Sequence, residues 1–393
     1  NSTVSSPVLS ASLTNTNAFL PAAGVTVNYT GRVNAPLYYQ STGSSNWNNV
    51  ATWEVSTDPT FVSPAPVPAT VVPNDLNSVG ITIQTGHTVS VTAAQTADDL
   101  TVNGTLSVNA VTFTLANGVA AFDMVVNGTL MNNGVGSVIT PTGAIQVAST
   151  GTYQHAMNAG TVPTATWVSG STCLITGVTL NQPAGLAQSF HHFTWNCTGQ
   201  TSSSFVLEPA TMSVGGVLKI QSTGSGVLAL GNSSTTRSLT VGSFDISGGS
   251  FYVAGAGSSA NMTLTITGSF NQSGGTFEVG RSNSNSGTCT VGTTLTTSSG
   301  TLRIMNNSGT GGIVSTLTVN GNSTISGGSL DLSTAGSTNA GRLFLKGDLT
   351  LSSGGLIFTQ GLTGTTGSSG IYFDGSTAQS FTHSGGTPST TTG

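Results

Sequence analysis

Glu278, Arg303 and Asp331 are the residues of this sequence best placed for acid–base chemistry, because with Tyr252 they fall at one position of successive repeats. Cleavage of a sugar chain needs two or three carboxylates on one face, or carboxylates beside Lys or Arg that stabilise developing charge. The column Tyr252, Glu278, Arg303, Asp331 alternates in sign, however, and reads as a surface ladder in which each pair contributes about 0 to 1 kcal/mol. Asp98 and Asp99 form an acidic pair before a strand and read as a solvated turn rather than a cation site. His191 and His192 are the one histidine pair. Neighbours on a strand point to opposite faces, so they are not expected to chelate one metal. No Ser, His and Asp set carries a recognisable motif. The expectation is therefore no catalytic residue, no cofactor and no metal.

The elements that position these side chains are legible from Leu239 to Phe358. The triplets Leu239-Thr240-Val241, Leu264-Thr265-Ile266, Cys289-Thr290-Val291, Leu317-Thr318-Val319 and Leu343-Phe344-Leu345 recur at a nearly even interval. Each alternates inward, outward, inward. A turn with Gly follows each triplet, then a second strand, then a corner reading Ser247-Gly248-Gly249, Ser273-Gly274-Gly275, Ser298-Ser299-Gly300, Ser326-Gly327-Gly328 or Ser353-Gly354-Gly355. A third strand then carries apolar pairs such as Phe251 and Val253, or Phe277 and Val279. Three short strands per unit with Gly at the corners are what a parallel β-solenoid requires, since stacked coils fuse their inward residues into one core. Length varies mainly in the last segment of each unit.

Three cysteines do not make a disulfide framework. Cys173 and Cys197 are separated by close to one coil, and stacking would bring their Cα atoms to about 5 Å, inside disulfide range. A disulfide and two separate thiols remain the two readings there. Cys289 takes the slot of Leu239 and Leu264 and reads as a buried, inert hydrophobe. The outward column Thr240, Thr265, Thr290, Thr318 offers hydroxyls that would order water, as ice-binding solenoids do. It breaks at Phe344 and its Thr-x-Thr regularity reads as poor, so that role is not the expectation.

Only 5% of the 393 residues are charged, against about 25% in ordinary domains, while 53 are Gly and 36% are apolar. That excludes the disordered class, which combines high net charge with low hydrophobicity. Seven scattered basic residues argue against a nucleic-acid partner. No apolar run reaches the roughly 18 residues of a membrane span. The first residue, Asn1, suits a mature chain whose signal has been removed.

Four segments follow. Residues 1–38 form an N-terminal β segment or cap, with strands Pro7–Leu13 and Val25–Tyr29 outside the repeat and available for pairing between subunits. Residues 39–78 are rich in Trp and Pro, 79–382 form the solenoid, and 383–393 are a linker-like tail. Between Tyr153 and Met212 prolines obscure the period, which suggests longer loops. Ser45-Asn46-Trp47, Thr52-Trp53, the prolines from Pro59 to Pro73, and the strands at Val79–Ile83 and His87–Val91 resemble the start of the β-solenoid in secreted surface proteins of Bacteroidetes, often cargo of type IX secretion. Phe190-His191-His192-Phe193-Thr194-Trp195-Asn196-Cys197 is similar to a segment recurring in the same group. The two matches span less than a quarter of the chain, and no sorting domain is visible.

The sequence thus predicts an all-β, right-handed, three-sided parallel β-helix with a small N-terminal cap, its coils of about 25 residues falling in the range of solenoid repeats. The function it predicts is a non-enzymatic structural protein of the cell surface or extracellular matrix, self-associating through solenoid ends into a fibre. The alternative is a carbohydrate-binding adhesin that meets glycans through the variable edge and exposed aromatics such as Tyr252; less favoured is a polysaccharide lyase or hydrolase.

Overall fold

The computed structural model describes residues 36–203, 205–207, 211–231, 234–255, 257, 260–281, 284–307, 312–333, 339–352, 355–358 and 369–384. The strands expected at Pro7–Leu13 and Val25–Tyr29 lie outside them, as does nearly all of the tail. Among the described residues the chain is all-β, with parallel strands stacked about 25 residues apart into a β-solenoid.

Three ladders run along the rod. One face begins with Tyr38–Ser41 and continues through Gly80–Ile83, Leu100–Val102, Met124–Val126 and Ile145–Val147. A second stacks Thr88–Val91, Thr105–Asn109, Thr129–Asn133, Thr152–Ala156, Thr172–Ile175 and His192–Asn196. The third stacks Gln95–Ala97, Thr112–Leu115 and Val138–Pro141. Towards the C-terminus the same faces persist, and long strands such as Phe270–Gly280 and Leu295–Met305 bend around a corner to serve two of them. Alternation along each strand sends one set of side chains inward. On the second face this gives the buried column Leu106, Leu130, Tyr153, Cys173, Phe193, Leu218, Phe244, Phe270. Phe244 and Phe270 stack with ring centroids 5.6 Å apart, and Phe251 and Phe277 stack beside them at 5.9 Å.

The corners confirm the role assigned to glycine. Gly249, Gly275, Gly300 and Gly328 have φ of +71°, +67°, +87° and +73°, a conformation that costs other residues dearly. They also stack: a Cβ on Gly300 would lie 2.4 Å from the carbonyl oxygen of Gly275.

Coil length departs from the sequence reading in the middle of the rod. Tyr153, Cys173 and Phe193 are register partners, so the chain completes each turn there in fewer residues than in the C-terminal coils, as it also does between Val89 and Leu106. The first part of the stretch read as longer loops is built of shorter coils, and from Phe193 to Leu218 the ordinary length returns. This also decides between the two readings of Cys173 and Cys197, in favour of separate thiols. Cys173 stacks on Phe193, while Cys197 sits further along, just past the strand end at Asn196. All three cysteines are free and buried.

The two ends differ. At the N-terminal end Tyr38–Ser41 already pairs in parallel with the solenoid, and Trp53–Ser56 and Val67–Pro68 add to its outer edge in antiparallel fashion. Trp47 and Trp53, from the segment that carried the resemblance, plug this end edge to face at 4.9 Å. The indole N–H of Trp47 donates to Pro73 O and that of Trp53 to Trp47 O, so neither polar group is left unsatisfied. At the other end lie Gly370–Phe373 and Phe381–His383, whose Phe373 and Phe381 are in register with the buried Leu345 and Leu349 yet 45% and 55% exposed.

Candidate functional site

The register brings Tyr252, Glu278, Arg303 and Asp331 together on consecutive coils as the repeat implied. They do not form an exposed ladder. Glu278 is 2% exposed and Tyr252 9%, since Arg281 and Asn306 reach the Glu278 carboxylate and Arg281 also covers the Tyr252 ring. Arg303 Nη1 donates to Glu278 Oε1 at 2.9 Å, Asn306 Nδ2 donates to the same oxygen at 2.7 Å, and Arg281 Nη1 reaches Oε2 at 3.4 Å. The Nε and Nη2 of Arg303 both donate to Asp331 Oδ2, at 3.0 and 2.8 Å. Arg281 lies 4.6 Å over the Tyr252 ring, a cation–π contact that shields the aromatic expected to meet glycans. Arg281 and Asn306 escaped the sequence reading since they lie in the segments of variable length.

Burial pushes the Glu278 carboxyl above its usual range, and the Arg281 and Arg303 guanidiniums pull it back only in part. A raised carboxyl suits a general acid. Here both of its oxygens accept from side chains, and Arg303 stands between the two carboxylates where a reacting bond would have to fit. The chemistry of the cluster is that of a clamp: it fastens the segments at Arg281 and Asn306 to the third face.

A second convergence was not expected. Asp98, Asp99 and Asp123 come from neighbouring coils and place one oxygen each within 4.8 Å of the others. Asp123 is buried, and its oxygens accept from the Gly118 N–H at 2.6 Å and the Ala144 N–H at 2.5 Å. Asp98 Oδ1 accepts from the Asp99 N–H at 2.8 Å, while Asp99 Oδ1 is buried with no partner. Burial above all pushes the Asp98 and Asp99 carboxyls upward, with the charges of Asp99 and then Asp123 added at Asp98 and that of Asp123 at Asp99. Among the described residues this is the group whose ligand atoms have a spacing suited to a hard divalent cation. Asp123 already serves two turns through its backbone contacts. The lone-turn reading of Asp98 and Asp99 missed Asp123 because it belongs to the next coil, distant in sequence and adjacent only through stacking.

The histidine pair also differs from expectation. His191 occupies the corner between Ser189–Phe190 and His192–Asn196, so the alternation rule does not reach it. The two rings lie 4.3 Å apart on one side. His192 Nδ1 accepts from the Val217 N–H at 3.0 Å and His191 Nε2 lies 3.1 Å from Ser169 Oγ. No acidic or thiol ligand joins them among the described residues. A second serine and histidine meet away from this pair: Ser41 Oγ lies 2.9 Å from His87 Nδ1. That hydroxyl is fully buried and accepts the Gln84 N–H at 2.9 Å, so it closes a turn rather than meeting a substrate.

The fold and these clusters define a parallel β-solenoid whose buried polar groups hold corners and variable segments in place. Comparison of the chain with family models, with curated proteins and with solved structures finds no match. No helix among the described residues is long and apolar enough to cross a membrane.

Proposed function

We propose that the chain is a non-enzymatic structural protein, secreted to the cell surface or extracellular matrix, whose rods add end to end into a fibre. The observation that carries this reading is the C-terminal end. Among the described residues Phe373 and Phe381 stand in core columns with no coil above them, and the last strands have a partner on one edge alone, leaving an edge of the kind that recruits another strand. The N-terminal end is built differently, with antiparallel strands and two tryptophans. A contact between unlike ends is heterologous and, where it does not close into a ring, propagates as a filament. The segment 1–38, read from sequence as strands outside the repeat, is assigned to such pairing. The resemblance to type IX cargo supports the location.

Negative-stain electron microscopy and sedimentation of the intact chain test this. Concentration-dependent filaments, lost in Phe373→Asp/Phe381→Asp, support it. A monomer at all concentrations, or undiminished filaments in the double variant, sinks it. Filaments that persist without residues 1–38 would keep end-on assembly and remove the pairing role given to that segment.

A further inference from the structure

Over four coils one face of the rod carries a two-dimensional array of hydroxyls. Ser238, Thr263, Thr288 and Thr316 are consecutive register partners, forming one outward column. At the next outward position of each strand, Thr240, Thr265, Thr290 and Thr318 form a second column in the same registers, with no shift or bulge between coils. The Thr-x-Thr regularity that reads as poor in the sequence is therefore complete over four coils, once Ser238 is counted as its first member. All eight side chains are at least partly exposed, and none of their hydroxyls takes part in a hydrogen bond with the described protein, although nearby corners do bond side chain to side chain, as Ser269 does with Thr293. No charge interrupts the array; it ends where Arg342 and Phe344 take the next pair of positions.

The spacing follows from the fold. Neighbouring coils are about 4.8 Å apart and alternate residues of a strand about 6.6 Å apart. The coil repeat lies close to the oxygen spacing along one axis of a prism face of hexagonal ice, and the alternate-residue repeat falls somewhat short of the spacing along the other. Thr suits such a surface for two reasons: its χ1 is stiff, so the hydroxyl and methyl stay in place, and the hydroxyl both donates and accepts. Each ordered water costs some immobilisation entropy. A rigid scaffold that holds many waters at lattice spacing lets small gains add without new ordering cost at each step.

We propose that this face binds ice, by holding a layer of water that merges with the lattice of a growing crystal. The second face supplies an internal comparison. Thr129 and Thr152 belong to a single Thr column there, whose neighbouring positions hold Met131 and Gln154 and so present no second row.

The test is ice-affinity partitioning of the intact chain during slow freezing, with thermal hysteresis as a second readout. Wild type is expected to enrich in the ice fraction. Thr290→Tyr, at the centre of the array, is expected to lower that partition about tenfold, equal to about 1.4 kcal/mol, while Thr129→Tyr matches wild type. Melting curves by circular dichroism check folding, and Thr265→Lys replaces Thr290→Tyr if the latter melts early. Exclusion of wild type from ice, wild-type partitioning by a folded array variant, or an equal loss in Thr129→Tyr would each overturn the assignment.

Discussion

Gly300→Ala tests the corner logic on which the whole solenoid rests. Two costs follow from the structure. The φ of +87° places an alanine in left-handed territory, worth about 1–2 kcal/mol. The new Cβ would also lie 2.4 Å from Gly275 O and 2.7 Å from Gly274 C, both backbone atoms of the preceding corner. Backbone displaced by overpacking costs about 1–3 kcal/mol. Relief by movement is limited, because a Cβ on Gly328 would itself sit 2.3 Å from Gly300 O, so the corners above and below are equally tight. The sum is a loss of about 2–5 kcal/mol. Gly43→Ala is the matched comparison, with nothing within 4 Å of its Cβ and no positive φ; there the stiffer unfolded chain makes alanine neutral or stabilising by about 0.4–1 kcal/mol. Thermal melts by circular dichroism read the difference, and amide hydrogen exchange locates it. Since a coil touches chiefly its neighbours, protection is expected to fall most between the corners at Gly275 and Gly328. Equal melting temperatures for the two variants would refute the argument from stacked corners.

Two further outcomes follow from the buried groups. The thiols of Cys173, Cys197 and Cys289 are free and buried, and burial pushes those of Cys197 and Cys173 upward, Cys197 to about 12; a thiol reagent is expected to find none in the native protein and all three after unfolding without reductant, and detection of only one would restore the disulfide. The Asp99 carboxyl is pushed upward in the fold, first by burial and then by Asp123, so its charged form weighs against the folded state and stability falls as pH rises from the unfolded value of about 4 through the higher folded one. Asp99→Asn, which forfeits no protein hydrogen bond at Oδ1 and tolerates the φ of +47°, is expected to raise the melting temperature at pH 7 and to lose that advantage near pH 4. A variant less stable than wild type at pH 7 would contradict this.

How much of this was legible in the sequence depended on whether a residue obeys the repeat. The third-strand column Tyr252, Glu278, Arg303 and Asp331 was placed correctly, since period-two alternation and Gly corners fix which side chains stack. Its burial was not legible, since that depends on Arg281 and Asn306, which lie where the repeat lapses. Cys173 and Cys197 stayed open between a disulfide and separate thiols for a related reason: their spacing matched the average coil, while the shorter local coil carries no Ser-Gly-Gly corner to announce it. His191 sits at a corner, outside the alternation that was used to separate it from His192.

The failures share a cause that also explains where the polar chemistry lies. A solenoid fixes strand register through its core but leaves the connecting segments free to differ in length, and each departure strands backbone groups that need partners. Buried polar side chains supply them. Gln200 accepts from the Trp195 indole at 2.8 Å while donating to Val227 O at 2.9 Å. Gln272 donates to Thr301 O at 3.0 Å across a corner, Asp123 receives two N–H groups, and Glu278 gathers Arg281, Arg303 and Asn306. Many of the titratable and amide groups are thereby spent on irregular places, and from Ser238 to Thr318 one regular face keeps short hydroxyl side chains at fixed intervals. What such a face can recognise is periodicity itself, which is why the Thr array, chemically the plainest surface of the rod, is the one with a ligand assigned to it.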